Sequence, residues 1–211
     1  MGRKFKASWL ISLIFILTLT VSVYFNFKWQ QYKNNQQQNY SIILNRSFNI
    51  EIELILQNIN YAIESLREHQ SEASIVHQLD SLSATLMSAE TSFKILDLDF
   101  AKQGASAFLM YNVIRDYYTY VQSDLVEEIL DGKLDINKDS NEIIFAMEML
   151  KNDITLLHHK FNGTELSQVE PSQLQEEWRE AVREIIMRNN DFDLYRRMMI
   201  KYGFDGDVGG Q

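Results

Sequence analysis

The stretch from Tyr111 to Tyr120 is the part of this sequence in which residue types and spacing most clearly suggest binding chemistry. Four of its ten residues are tyrosine, and Arg115 lies among them. Tyrosine and arginine concentrate at protein interfaces, and a guanidinium group also suits a ligand carboxylate. On a helix, Tyr117 would follow the apolar face and point into the core. The predicted ligand or partner face consists of Tyr111, Arg115, Tyr118 and Tyr120.

Residues 131–142 offer oxygen ligands at the spacing of a calcium-binding loop, but they break that pattern at two positions. Lys133 takes the place of a ligand, and Ile136 stands where the sharp turn of such a loop requires glycine. The segment therefore predicts a polar turn between two helices, capped by Asp139 or Ser140. We expect no metal there.

The motifs of common enzymes are missing from the sequence. The histidines lack the i, i+4 spacing of a metal-binding helix face; they are His69, His77, His158 and His159. The sequence has no GxSxG motif and no glycine-rich phosphate loop, and the absence of cysteine excludes thiol nucleophiles, thiolate zinc sites and disulfides. We therefore expect no catalytic residues, no cofactor and no enzyme activity.

An uncharged apolar run from residue 7 to residue 27 is the strongest signal in the chain. As a helix this run would be roughly 30 Å long, which matches the hydrocarbon core of a bilayer. Trp9 near one end, with Tyr24 and Trp29 near the other, suits the two lipid–water interfaces. A cleaved signal peptide is the alternative, but bulky residues follow the run where a cleavage site needs small ones.

Charge predicts how this segment is oriented. The three basic residues at the N-terminal tip have no acidic neighbour, which favours a cytoplasmic N-terminus; they are Arg3, Lys4 and Lys6. Residues 28–211 then lie outside the cytoplasm with 17 Lys and Arg (20 less those three) against 29 Asp and Glu, a formal charge of −12. Such an acidic domain is unsuited to binding nucleic acid.

Apolar residues beyond residue 40 recur every three or four positions, the period of a helix with one buried face. The stripes begin at Phe48, Ile75, Met110, Ile143 and Leu174, and a short sixth begins at Phe192. A single proline argues against a turn-rich β fold. The prediction is an all-α protein: an N-terminal transmembrane helix followed by an up-down antiparallel helical bundle of about four main helices and a short C-terminal helix.

The predicted organisation has five parts. They are a cytoplasmic basic tip (1–6), a transmembrane helix (7–27), a polar juxtamembrane stalk (28–40), an extracytoplasmic bundle (41–203) and a flexible glycine-rich tail (204–211). Nothing in the stalk breaks a helix, so we expect the membrane helix to continue through it. The break between the second and third stripes, near residues 97–104, is compatible with a loop or with a kink.

This layout resembles the sensor half of bacterial chemoreceptors and sensor kinases, but no motif is shared. No second hydrophobic span and no cytoplasmic signalling module follow the bundle, so no family is assigned. We expect a non-catalytic, signal-anchored module at the cell membrane that binds a protein partner or self-associates, for example as a coiled coil. The alternative is a sensor-like domain with a small-ligand pocket between helices near Arg115, Tyr117 and Tyr118.

Overall fold

A computed structural model describes residues 2–162 and 166–205 of this chain. The described residues form helices joined by short turns, with no strand among them, so the predicted all-α class is confirmed. The helices are α1 (Gly2–Asn45), α2 (Ile52–Arg67), α3 (Glu72–Ala101), α4 (Phe108–Thr119), α5 (Glu127–Leu130), α6 (Ile136–Phe161), α7 (Pro171–Arg188) and α8 (Asp193–Tyr202). Two π-helical segments, Arg46–Glu51 and Tyr120–Val126, join α1 to α2 and α4 to α5. A short 3-10 turn, Leu166–Gln168, precedes α7.

The chain divides into two compact units, Met1–Ser41 and Ile42–Gln211. In the first unit α1 runs without interruption through the predicted stalk, so the expected helical continuation is confirmed. Among the described residues one helix is long and apolar enough to cross a membrane, and its apolar stretch is unburied. The hydroxyls of Thr18 and Thr20 donate to carbonyl oxygens one turn earlier, at 2.6 Å and 2.8 Å, which satisfies these groups without water.

The second unit is built around the predicted apolar stripes. The first five stripes are buried along their length, and aromatic residues of four of them meet in one cluster. The Phe48 ring lies 5.1 Å from the Phe93 ring, 5.1 Å from the Phe161 ring and 5.7 Å from the Trp178 ring, centroid to centroid. Such aromatic pairs add about 0.5–1.5 kcal/mol each beyond their burial. The cluster therefore joins the first π-helical segment, α3, α6 and α7 at one point of the core.

Neighbouring helices are cross-linked by polar contacts whose order shows antiparallel pairing. Glu51, just before α2, bonds to Ser92 of α3, and Asn58, about two turns later, bonds to the earlier residue Thr85. Glu90 of α3 pairs with Arg115 of α4 across the next interface. α3 therefore lies between α2 and α4, and its outer side is left uncovered by either neighbour.

The structure defines two helix boundaries. One was predicted at a different residue, and the other was left open between a loop and a kink. The cap of α6 lies four residues before the predicted one, because the Asp135 carboxylate accepts a hydrogen bond from Asn137 N at 3.0 Å. Asp139 is already inside α6, where its carboxylate accepts from Asp135 N at 2.8 Å. The break between the second and third stripes is a loop, with Gly104 at a φ of +75°, and not a kink.

The chain beyond α8 is ordered further than the sequence suggested. Gly203 ends α8 in the left-handed conformation, at a φ of +70°, as its position past the last stripe predicted. Phe204, the first residue of the predicted flexible tail, is 3% exposed and lies 5.7 Å from the guanidinium of Arg179. The tail prediction is therefore wrong for Phe204, because its ring has a place on α7 to pack against. Residues 206–211 and the predicted helix end at Gly163 lie outside the described residues.

Candidate functional site

A surface cluster around Tyr111 brings together aromatic rings and cations from α3 and α4. Phe108 and Tyr111 pack edge to face, with 5.4 Å between ring centroids. The Lys94 ammonium and the Arg115 guanidinium each lie 5.9 Å from the centre of the Tyr111 ring. A cation over an aromatic face contributes about 0.5–1 kcal/mol at an exposed site. We call Glu90, Lys94, Phe108, Tyr111 and Arg115 the Tyr111 cluster.

The carboxylate of Glu90 holds the two cations of the cluster in place. Its Oε1 atom accepts hydrogen bonds from Lys94 Nζ and Arg115 Nε, both at 2.6 Å, while its side chain is 8% exposed. Burial by itself would raise the pKa of Glu90, but the bonds and positive charges of Lys94 and Arg115 lower it below its usual value. Glu90 is therefore ionised at neutral pH, and one positive charge remains on the cluster.

The structure divides the predicted partner face. Tyr111 and Arg115 belong to one cluster, and Tyr118, which is half-buried, follows Arg115 by three positions on the same side of the helix. Tyr120 is buried on the opposite flank, with its ring 5.8 Å from that of Phe192. Tyr118 and Tyr120 therefore lie on different sides of the chain, because two helical positions are about 200° of rotation apart.

Phe108, Lys94 and Glu90 were not among the predicted site residues. Phe108 precedes Tyr111 by three positions and is 57% exposed, so helical spacing could have identified it. Lys94 and Glu90 reach the cluster from α3, about twenty residues earlier in the chain. Nothing in the sequence sets the register between α3 and α4, so these two residues could not be assigned from it.

Two ion pairs connect α8 to the opposite flank of α4 and the segment after it. Lys201 Nζ and Tyr202 OH both donate to the Asp116 carboxylate at 2.5 Å, and Arg197 donates to Asp124. A cleft of about 220 Å³ lies between these pairs, with Tyr120 in its lining. A second cleft of about 280 Å³ lies on the other side of the Lys201–Asp116 pair. This flank therefore offers both charges and space for a small polar molecule.

Asp153 is the centre of a buried polar network that the sequence analysis did not identify. It lies on α6 with 0% exposure. Its Oδ1 atom accepts from Arg188 at 2.9 Å and from Asn189 at 3.1 Å, and its Oδ2 atom accepts from Tyr117 at 3.2 Å and from Tyr195. These donors come from α4, from α8 and from the C-terminal end of α7, so one carboxylate connects four helices.

Burial raises the pKa of the Asp153 carboxyl group and of the tyrosine hydroxyls that bond to it. Burial raises the pKa of Asp153 to about 6, although the bond from Tyr195 and the charge of Arg188 oppose that rise. Burial, together with the nearby Asp153 charge, raises the pKa of the Tyr117 and Tyr195 hydroxyls above their usual values. Tyr117, predicted beside a ligand pocket, is instead fully buried in this network. The network joins helices around the buried Asp153 carboxylate and reaches solvent at Arg188, whose side chain is 44% exposed.

The rejected calcium segment forms a turn between α5 and α6. Lys133 Nζ pairs with Asp131, and Lys138 Nζ pairs with Asp135, both at 2.8 Å. Over residues 2–162 and 166–205, no group of three or more histidine or acidic side chains is arranged to hold a metal ion.

Comparison with known proteins yields no relative. No protein-family model, no curated protein sequence and no solved structure matches this chain.

Proposed function

We propose that this chain is a single-pass membrane protein whose helical bundle lies outside the cytoplasm and binds a protein partner without catalysis. The single observation that carries the binding function is the Tyr111 cluster, where two cations lie over the half-buried Tyr111 ring beside the exposed Phe108 ring, on an otherwise acidic domain. Buried or half-buried tyrosine and arginine contribute most of the binding energy at many interfaces. The partner we expect presents an apolar side chain next to a carboxylate.

The membrane anchor is supported by the length, apolarity and exposure of α1. The basic tip supports a cytoplasmic N-terminus under the positive-inside rule. The packing of α2, α3, α4 and α6 supports an up-down bundle as the arrangement of the second unit. An anchored domain meets its partner in two dimensions, so that a modest intrinsic affinity suffices.

Topology is tested most directly by labelling with a maleimide that does not cross membranes. The chain contains no cysteine, so Phe145→Cys, at a position 60% exposed on α6, introduces one reactive thiol. We expect labelling in intact cells and no added labelling after lysis. The control is Gly2→Cys, which should react only after lysis. A reversed pattern, or a mature chain shortened by removal of its N-terminal segment, would contradict the anchor.

Partner binding is tested by placing a photo-crosslinking phenylalanine analogue at Phe108 in the full chain. Phe145 is the matched control, because it is also a phenylalanine and is 60% exposed against 57% for Phe108. We expect the analogue at position 108 to crosslink to a protein that the analogue at position 145 does not capture. We expect Arg115→Ala to lower the yield of this adduct at least fivefold. Equal adducts at both positions would contradict a partner site at the Tyr111 cluster.

Binding of a small ligand is the second candidate function, and the clefts beside α8 favour it. The 220 Å³ cleft is bordered by the Lys201–Asp116 and Arg197–Asp124 pairs, which offer both signs of charge to a zwitterionic molecule. A thermal-shift screen of the full chain in detergent tests this function. A compound that stabilises the protein, and that loses its effect in Arg197→Ala but not in Arg115→Ala, would favour it.

A further inference from the structure

The cleft of about 280 Å³ beside α8 combines cations with apolar side chains from the start of α4, from α7 and from the end of α8. We define the Arg179 cleft by six of its lining residues: Phe108, Leu109, Gln175, Arg179, Lys201 and Phe204. Arg179 and Lys201 are its charged groups, and among the described residues that line it none carries a carboxylate. This excess of positive charge distinguishes the cleft from the strongly acidic domain around it.

Arg179 is held so that its hydrogen-bond donors stay available. Its guanidinium lies over the Phe204 ring, 5.7 Å from the ring centre, and it donates to no acceptor among residues 2–162 and 166–205. The attraction to the ring uses the charge of the guanidinium and not its N–H groups. Two of those N–H groups match the two oxygens of a carboxylate in spacing and direction. Arg179 therefore brings an unused pair of donors to the cleft.

No acidic neighbour in the described chain neutralises Arg179. Glu176 lies one turn earlier on α7, at a spacing that suits an ion pair, and Asp205 lies just beyond α8, yet neither pairs with Arg179. Neither acid lines the cleft. Glu180, the next residue of α7, lies 4.0 Å from Lys160 of α6. One positive charge therefore remains at Arg179.

Gln175 and Lys201 add further donors to the cleft. Gln175 Oε1 accepts from Ser106 N at 2.7 Å, which fixes the amide and leaves its NH2 group without an acceptor in the described chain. Lys201 Nζ donates to Asp116 at 2.5 Å, which neutralises its charge but uses one of its three N–H groups. Asp97 accepts from the Ser106 hydroxyl and from a backbone N–H at the start of α4, where the helix dipole offsets its charge.

From these donors we propose that the Arg179 cleft binds a carboxylate attached to a small apolar body. The carboxylate pairs with Arg179 and accepts from Gln175, and the apolar body packs against Leu109 and the exposed Phe108 ring. One unneutralised cation matches the single charge of a carboxylate better than the two charges of a phosphate. A volume of about 280 Å³ is just below that of sites for drug-sized molecules, so the body is small. The site requires neither the membrane anchor nor a partner at the Tyr111 cluster.

Titration of 4-fluorobenzoate into the full chain in detergent micelles, followed by fluorine NMR, tests the site. The control ligand is 4-fluorobenzamide, which has the same shape and no charge. We expect saturable binding of the benzoate, and Arg179→Gln should weaken it about tenfold or more with unchanged helix content. Leu109→Trp, which fills the cleft and keeps Arg179, should weaken it as much. Arg67→Gln removes a 58% exposed arginine that pairs with Glu148 on α6, and it should leave binding unchanged.

Three results would overturn the proposal. Absence of saturable binding would mean that no such site exists, and equal binding of the benzoate and the benzamide would mean that charge is not recognised. Loss of binding in Arg197→Gln, with Arg179→Gln unaffected, would move the carboxylate to the 220 Å³ cleft.

A free carboxylic acid and an acidic side chain of a protein partner present the same chemistry to this cleft. Phe108 belongs both to the cleft and to the Tyr111 cluster, so the photo-adduct at position 108 distinguishes the two sources. Saturating 4-fluorobenzoate should lower the adduct yield if a partner supplies the carboxylate, and leave it unchanged if the ligand is a free molecule. Absence of any adduct would remove the proposed partner site, whereas benzoate binding that depends on Arg179 would still support this inference.

Discussion

Asp153 and Glu90 are both buried carboxylates that pair with an arginine, yet their surroundings shift their pKa values in opposite directions. Asp153 is fully buried and has one cation, Arg188, among four donors; the other three donors are neutral. Glu90 lies just below the surface and has two donors, both of them cations that remain 44% exposed. Burial therefore determines the pKa shift at Asp153, whereas at Glu90 the hydrogen bonds and charges of Lys94 and Arg115 together outweigh burial.

A buried carboxylate can either hold helices together inside the protein or orient side chains at its surface. At Asp153 the donors of three helices converge on a carboxylate of a fourth, so the role of Asp153 is to specify which helices meet. At Glu90 the carboxylate positions Lys94 and Arg115 beside Tyr111, where a partner can reach them. The free energy of unfolding of variants that lack each acid, and its dependence on pH, should distinguish these two roles.

The largest expected effect is that of Asp153→Ala. This change leaves the buried Tyr117 and Tyr195 hydroxyls without their acceptor, and each unsatisfied buried donor costs about 1–3 kcal/mol, whereas the half-exposed Arg188 can be hydrated. Urea unfolding of the full chain in detergent micelles, followed by circular dichroism, measures the loss. Asp153→Asn keeps one acceptor oxygen and should lose less. A loss below about 1 kcal/mol in Asp153→Ala would mean that the network does not hold the helices together.

The next effect is a pH dependence that belongs to Asp153. Its pKa is about 6 in the folded chain against 3.8 unfolded, so between these pH values the folded chain keeps a proton that the unfolded chain releases. The contribution of Asp153 to the free energy of unfolding should therefore be present in full below pH 3.8 and be lost as pH rises through 6, by about 3 kcal/mol. The difference between the native chain and Asp153→Asn isolates this contribution. If the free energy of unfolding of the native chain minus that of Asp153→Asn increased with rising pH, the predicted direction of the pH dependence would be contradicted.

Glu90→Gln should have a smaller effect with the opposite pH dependence. Because the pKa of Glu90 is lowered in the folded chain, its contribution is present above pH 4.5 and is lost as pH falls through the folded value. Its partners are half in solvent, which limits the loss at pH 7 to about 1 kcal/mol. The deficit of the variant should shrink toward zero as the pH falls through the folded pKa of Glu90. A greater deficit at pH 3 than at pH 7 would mean that Glu90 behaves like Asp153.

The helices could be predicted from the sequence because each stripe is a local pattern. The spacing of apolar residues three or four positions apart does not depend on how distant parts of the chain pack. It could not predict the Asp153 network, whose donors lie about 35 residues or more away along the chain. One signal was present: Asp153 follows Leu150 by three positions and precedes Leu157 by four, which places it on the buried face of α6. An acid on that face requires partners, but only packing identifies them.

The candidate site was predicted in part for the same reason. Tyr111 and Arg115 were identified from composition on a single helix, whereas Glu90 and Lys94 depend on how α3 lies beside α4. The start of α6 was misplaced because several acidic residues in succession can cap a helix. Asp135 is the one that does so, although Asp139 has the same chemistry.

The smallest effect should come from a pair that lacks burial altogether. Lys133 and Asp131 lie 2.8 Å apart with both side chains mostly in solvent, and the bond from Asp131 raises the pKa of Lys133. Water screens such a pair and its long side chain loses freedom on ordering, so Lys133→Ala should leave the unfolding midpoint unchanged in urea. The destabilisation caused by Lys133→Ala is compared with that caused by Glu90→Gln at the same salt concentration. If Lys133→Ala were as destabilising as Glu90→Gln, contact distance and not burial would determine what an ion pair contributes in this protein.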